Sequence, residues 1–256
     1  MENLAESIGW GLAVGASLLA GAVTASLLRL PERVAATLTA FGGGVLLSAV
    51  ALELVPEADA EAGLELTAVG LVAGALVYVS IDAWLSRDED MKTMRQAGHA
   101  AAAGRPMDMP TRDQAEAARG ESIAAGLTVD GIPESIALGL TIAEGELGLA
   151  LLVGILLGNV VESYGAAQPI IAGGHSKRFA ITLLGVIGLA LAIATVLGGS
   201  VLAEASSEFV GTAQAVAAGA VLAVVSVAVI PHAFAEVSRT VATATVLGFV
   251  AGYLLS

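Results

Sequence analysis

The 256-residue chain is 56% hydrophobic and only 14% charged, with a mean hydropathy of +0.84, which is too apolar for an ordinary soluble domain and fits a polytopic membrane protein. A formal net charge of −13 argues against nucleic acid as a partner, because phosphate binding needs clustered Lys and Arg. With no cysteine, disulfides, thiolate metal sites and cysteine catalysis are excluded, and any bound metal must be held by oxygen or imidazole.

Eight apolar segments of spanning length follow one another, at roughly 8–28, 34–55, 67–85, 121–141, 147–171, 179–203, 210–232 and 240–256. They make one all-α transmembrane domain of residues 1–256. Glu2 and Glu6 ahead of the first segment are unlike the basic start of a cleaved signal peptide. Gly is frequent, at 31 residues, and aromatics make up 4%, a composition for helices that approach closely across small side chains.

Basic residues set the orientation. Arg29 and Arg33 follow span 1, Arg87, Lys92, Arg95, Arg105, Arg112 and Arg119 follow span 3, Lys177 and Arg178 follow span 5, and Arg239 follows span 7. With eight spans and both termini extracytoplasmic, every Lys and Arg falls on the cytoplasmic side. The long connection, 86–120, is then cytoplasmic; its His99 and Met91, Met94, Met107 and Met109 lack ligand spacing and read as a solvated linker.

An internal repeat is visible. Gly44-Val-Leu-Leu-Ser-Ala-Val-Ala-Leu-Glu-Leu-Val-Pro-Glu-Ala58 aligns without a gap with Gly219-Ala-Val-Leu-Ala-Val-Val-Ser-Val-Ala-Val-Ile-Pro-His-Ala233, and Gly70–Val77 aligns with Gly248–Leu255. Spans 1–3 thus correspond to spans 6–8. The offset of five spans is odd, so the copies lie in opposite orientations, the inverted arrangement used by alternating-access transporters.

The polar residues of spans 4 and 5 carry the chemistry. Asp130 and Glu134 lie one turn apart on one face of span 4, with Gly131 and Pro133 between them to loosen the backbone and free a carbonyl. Span 5 carries Asn159 and Glu162 on one face, with Ser163 and Gln168 nearby. Acids at this depth are costly and rare unless they face an ion, a partner or water. Three carboxylates with no basic residue in the membrane cannot all stay ionised unless something compensates. A divalent cation in an oxygen-rich shell does so, and protonated carboxyls hydrogen-bonded between helices are the structural alternative. Glu53 and Glu57 around Pro56 are candidate entrance residues, and Asp82, His232 and Glu236 candidate exit residues. Plain interfacial acids are the alternative for the first pair, and a lone interfacial His or Asp is usually solvated.

These motifs resemble the ZIP (Zrt- and Irt-like protein) family of divalent-metal transporters along the whole chain. The family's span 4 motif, His-Asn-x-Pro-Glu-Gly, aligns with Asp130-Gly-Ile-Pro-Glu134-Ser135. Its span 5 motif aligns less closely with Gly158-Asn-Val-Val-Glu162-Ser163, and its span 2 ending with Glu53-Leu-Val-Pro-Glu-Ala58. The resemblance implies a three-two-three inverted architecture and a homodimer in the cell membrane. It also implies a single primary site from Asp130, Glu134 and Glu162, with Asn159 at its edge, on spans 1, 4, 5 and 6. The cargo is then a divalent metal, Zn2+, Mn2+, Fe2+ or Cd2+, with no resident cofactor and no enzymatic activity. Asp130 stands where a ligand His is usual, so selectivity leans towards Mn2+ or Fe2+ or is broad. Competing classes are a proton-conducting or structural membrane protein, and an intramembrane aspartyl protease using Asp82 and Asp130, although the Gly-x-Gly-Asp pattern of the latter is missing.

Overall fold

The computed structural model describes residues 2–81, 83, 124, 127–128, 131–143, 145, 148–202 and 205–256; among them the chain is all-helical, with no strand. The helices are α1 (Glu2–Leu27), α2, α3 (Leu64–Ile81), α4 (Gly131–Ala143), α5 (Leu149–Ala172), α6, α7 and α8 (Thr240–Tyr253). Three of them change pitch along their length. α2 runs Glu32–Ala49, then a π-helical turn Val50–Leu54, then Val55–Ala62. α6 runs Lys177–Leu197 and ends in a π turn, Gly198–Leu202. α7 runs Ser207–Val224, a π turn Val225–Val229 and then Ile230–Val237. The 86–120 connection and the 203–204 residues lie outside the described set, as do Asp82 and Asp130.

Among the described residues, six helices are long and apolar enough to cross a membrane: Leu4–Leu27, Arg33–Ala62, Leu64–Ile81, Leu149–Ala172, Lys177–Val201 and Ser207–Val227. Two further apolar helices are described over shorter stretches, Gly131–Ala143 and Thr240–Tyr253. At 14 residues α8 covers about 21 Å at 1.5 Å per residue, less than a hydrocarbon core of about 30 Å.

The segmentation 34–55 and 210–232 places Pro56 and Pro231 at or beyond a helix end, whereas both helices continue past their proline, to Ala62 and Val237. Proline lacks the N–H that would bond the carbonyl four residues back, and its ring crowds that carbonyl. Each helix widens by one π turn immediately before the proline and so absorbs both problems without stopping. In the register that aligns Gly44 with Gly219, Val50–Leu54 falls residue for residue on Val225–Val229.

Packing is built on close backbone approach. α1 crosses α6 where Gly15 meets Gly188, and it lies along α5 where a Cβ on Gly21 would collide with Ser163 Oγ and Val160 O. α4 lies on α6, with Gly139 against Thr195 O and Gly131 against the Leu191 side chain. α2 packs on α8 through Gly44, Gly248 and Gly252, while α3 packs on α7 through Gly70, Gly74 and Gly219. The carboxyl-terminal segment of α2, Val55–Ala62, lies against α7, and that of α7, Ile230–Val237, lies against α2. Two groups of helices result, α1, α4, α5 and α6 in one and α2, α3, α7 and α8 in the other, joined chiefly where α2 meets α5. A continuous apolar core links both groups, from Leu18 and Leu46 through Leu138 and Ile155 to Leu184 and Val221.

Candidate metal site

Glu134 lies on α4 and is only 6% exposed, although the helix around it is apolar and its neighbours Ser135, Ala137 and Leu138 are fully buried. Burying a carboxyl group among alkyl side chains is costly unless something compensates. On α5, Asn159 is 3% exposed and Ser163 fully buried, while Glu162 is half-buried.

The helix period explains the placement. At 100° per residue, Asn159 and Glu162 share an edge of α5 between two occupied faces. One face carries Val160 and Ser163 against Gly21 of α1, and the other carries Gly154 and Gly158 against Leu46 and Gly42 of α2. The buried residues of that edge, among them Ile155 and Ala166, belong to the same apolar cluster as Ala137, Leu138 and Ile142 of α4. The acidic helix and the amide-bearing helix therefore share one core.

Among the described residues, Asn159 Nδ2 on α5 and Ser135 Oγ on α4 are buried without a hydrogen-bond partner. A buried amide end or hydroxyl left unbonded costs about 1–3 kcal/mol, and the two ends of an Asn amide are interchangeable by a flip. The Asn159 Nδ2 group is a donor and calls for an acceptor, so only the flipped amide would turn its oxygen towards a cation. Ser135 was not among the expected site residues; its only sequence signal is its adjacency to Glu134.

Asp130, the fourth expected ligand, lies outside the described residues, as does Asp82. Among the described residues no group of three or more His, Asp or Glu side chains comes together in a metal-holding arrangement. Glu134 and Glu162 supply two carboxylates and Asn159 an amide; the third carboxylate of the expected set is Asp130.

The candidate entrance residues are engaged with neighbouring helices. Glu53 lies in the π turn of α2, and its two carboxylate oxygens accept from the backbone N–H groups of Ala150 and Leu151, at 3.3 Å each, in the first turn of α5. Glu57 Oε2 accepts from Nε2 of Gln214, a fully buried side chain of α7, at 3.3 Å. Gln214 gave no signal in sequence, because a lone amide in an Ala-rich helix has no spacing partner. One turn beyond Glu57, Glu61 Oε2 is buried without a hydrogen-bond partner. In the Gly44/Gly219 register Glu57 aligns with His232 and Glu61 with Glu236, so the two ends of the repeat carry ionisable pairs at the same positions. The backbones of His232 and Glu236 belong to the last segment of α7, while their side chains lie outside the described set.

The other end of α5 is tied to α1. Tyr164 OH accepts from Leu30 N at 2.6 Å, and Gln168 Nε2 donates to Ala25 O at 2.7 Å and Leu28 O at 3.1 Å. Lys177 Nζ donates to Ser26 O at 2.6 Å. Gln168 and Lys177 thus satisfy carbonyls at and just beyond the end of α1 that the helix leaves unbonded.

No family model matches the chain, and no curated protein matches it.

Proposed function

We propose that the chain is an eight-span, multi-pass transporter of the cell membrane, of the ZIP type, that moves a divalent metal cation into the cytoplasm by alternating access. Its site is formed by Asp130, Glu134 and Glu162 with Asn159 at the edge. Zn2+, Mn2+, Fe2+ and Cd2+ are the candidate cargoes, and an all-oxygen ligand set favours the harder of these.

The observation that carries this reading is the burial of Glu134, 6% exposed in an apolar helix, in one core with the amide of Asn159, which lacks a hydrogen-bond partner at Nδ2. A cation would neutralise the buried carboxylate, and the amide of Asn159 would join it with its oxygen once flipped. The paired π turns before Pro56 and Pro231 support the three-two-three inverted repeat. So does the exchange of partners, α2 on α8 and α7 on α3, which the repeat relates to one another. In this reading the α1–α4–α5–α6 group carries the cargo, and the α2–α3–α7–α8 group is the scaffold and homodimer surface.

The test is calorimetric binding of Mn2+, Zn2+ and Cd2+ to the purified protein in detergent, with Glu134→Ala and Asn159→Ala beside it. One metal per chain is expected, weakened at least tenfold by Glu134→Ala and less by Asn159→Ala, since the carboxylate carries the charge. Equal binding by all three proteins would overturn the site.

A further inference from the structure

The amino end of α5 has no cap of its own. Gly148 stands at the N-cap position and has no side chain to offer, and its carbonyl already accepts from Leu152 N at 2.9 Å. That leaves the N–H groups of the first turn, which in most helices a neighbouring Ser, Thr, Asp or Asn would satisfy. Here Glu53, from the π turn of α2, satisfies two of them, Ala150 N and Leu151 N, with one oxygen each. A carboxylate at a helix amino terminus is further stabilised by the helix dipole. The fit is close: a Cβ on Gly148 would stand 2.5 Å from Glu53 Oε2.

This contact crosses between the two groups of helices. α5 is bound to α1 by Tyr164, Gln168 and the close approach at Gly21, so it belongs with α1, α4 and α6. Glu53 belongs to α2 and the other group. Elsewhere α2 meets α5 through Leu46 against Gly154, and a Cβ on Gly42 would lie 3.7 Å from Gly158 N, in ordinary van der Waals contact. In the repeat, the position that corresponds to Glu53 is Ala228, which has no acceptor. The polar tie is therefore present in one copy of the repeat and missing from the other.

We propose that Glu53 is a positioning residue that latches the amino end of α5 to α2 and holds the two groups together on that face, so that its release opens the interface there. The inference rests on the transporter reading for its purpose, because it assigns Glu53 to gating the site on α5 rather than to attracting cations. The π turn is suited to the part. Its widened pitch re-aims Glu53 relative to an α-helical path, and π turns inside α-helices are a recurrent feature of functional sites.

The test uses the absence of cysteine from the chain. A single cysteine at Gly158, where a Cβ meets nothing within 4 Å, reports access to the α2–α5 interface beside Asn159. The protein in vesicles is labelled with a membrane-impermeant maleimide applied to each face in turn, in the background of Glu53→Ala, of Glu53→Gln and of Gly148→Ala. The last leaves the carboxylate present but displaces it from the helix terminus. Hydrogen bonds to a charged acceptor contribute enough that losing the pair shifts the equilibrium about tenfold or more. Labelling from the face of the α5 amino end is therefore expected to rise about tenfold in Glu53→Ala and Gly148→Ala, and less in Glu53→Gln, which keeps one acceptor. Unchanged labelling in both of the first two variants would overturn the latch. So would an equal rise from both faces with a lowered melting temperature, the mark of a merely structural contact. Labelling does not depend on cargo, so a protein that fails to bind Mn2+, Zn2+ or Cd2+ but shows the one-sided rise would sink the transporter reading and leave the latch standing.

Discussion

Gly15 and Gly188 occupy each other's space: a Cβ on Gly15 would stand 2.9 Å from the carbonyl oxygen of Gly188, and a Cβ on Gly188 would stand 2.8 Å from that of Gly15. The contact is reciprocal. Either backbone would have to retreat to admit a side chain. Gly15→Val is expected to destabilise the protein by about 1–3 kcal/mol, the usual cost of overpacking. Gly9→Val, at a position where a Cβ meets nothing within 4 Å, is expected to be close to neutral. Thermal melting in detergent checks the contrast.

The attachment of α5 to α1 through Gln168 makes a second prediction. Gln168→Leu removes the donor to Ala25 O and Leu28 O while keeping a side chain of similar reach. A loss of about 1–2 kcal/mol is expected from the unbonded carbonyls, part of it recovered where water reaches the end of α1. Hydrogen exchange in the peptide covering the last turn of α1 is expected to quicken, with exchange in α8 unchanged.

Cargo and protons compete for the same oxygens in a site made of carboxylates. A carboxyl must be deprotonated to hold a divalent cation, so binding is expected to weaken progressively as the pH falls and to release protons to the medium. Titrating Mn2+ in two buffers of different ionisation enthalpy measures that release. A binding enthalpy independent of buffer would contradict a carboxylate site.

Much of this was legible in the sequence for a simple reason. Apolar length marks helices directly: the centre of each of the eight expected segments falls on helix, and six described helices are long and apolar enough to cross a membrane. Glu134 and Asn159 were found the same way, because a polar residue in an apolar run stands out. The ends were harder. A proline in a helix usually signals a stop, and only the π turns at Val50–Leu54 and Val225–Val229 let α2 and α7 continue past Pro56 and Pro231. The tie between Glu53 and α5 was not readable at all: donor and acceptor lie 97 and 98 residues apart, and the cap is missing locally because Gly148 has no side chain. Gln214 and Gly21 escaped for the same cause, since each matters only through a helix distant in sequence.

The most direct measurement of the central claim is metal uptake into proteoliposomes, with Mn2+, Zn2+, Fe2+ and Cd2+ offered in turn to the wild-type protein, Glu134→Ala and Glu162→Ala. Saturable uptake of at least one cation is expected for the wild type, with a loss of about 100-fold or more in either variant, beyond the roughly 10–100-fold that losing even an outer-shell partner of a metal costs. Uptake that proceeds equally in all three proteins, or none above empty vesicles for any of the four metals, would contradict it.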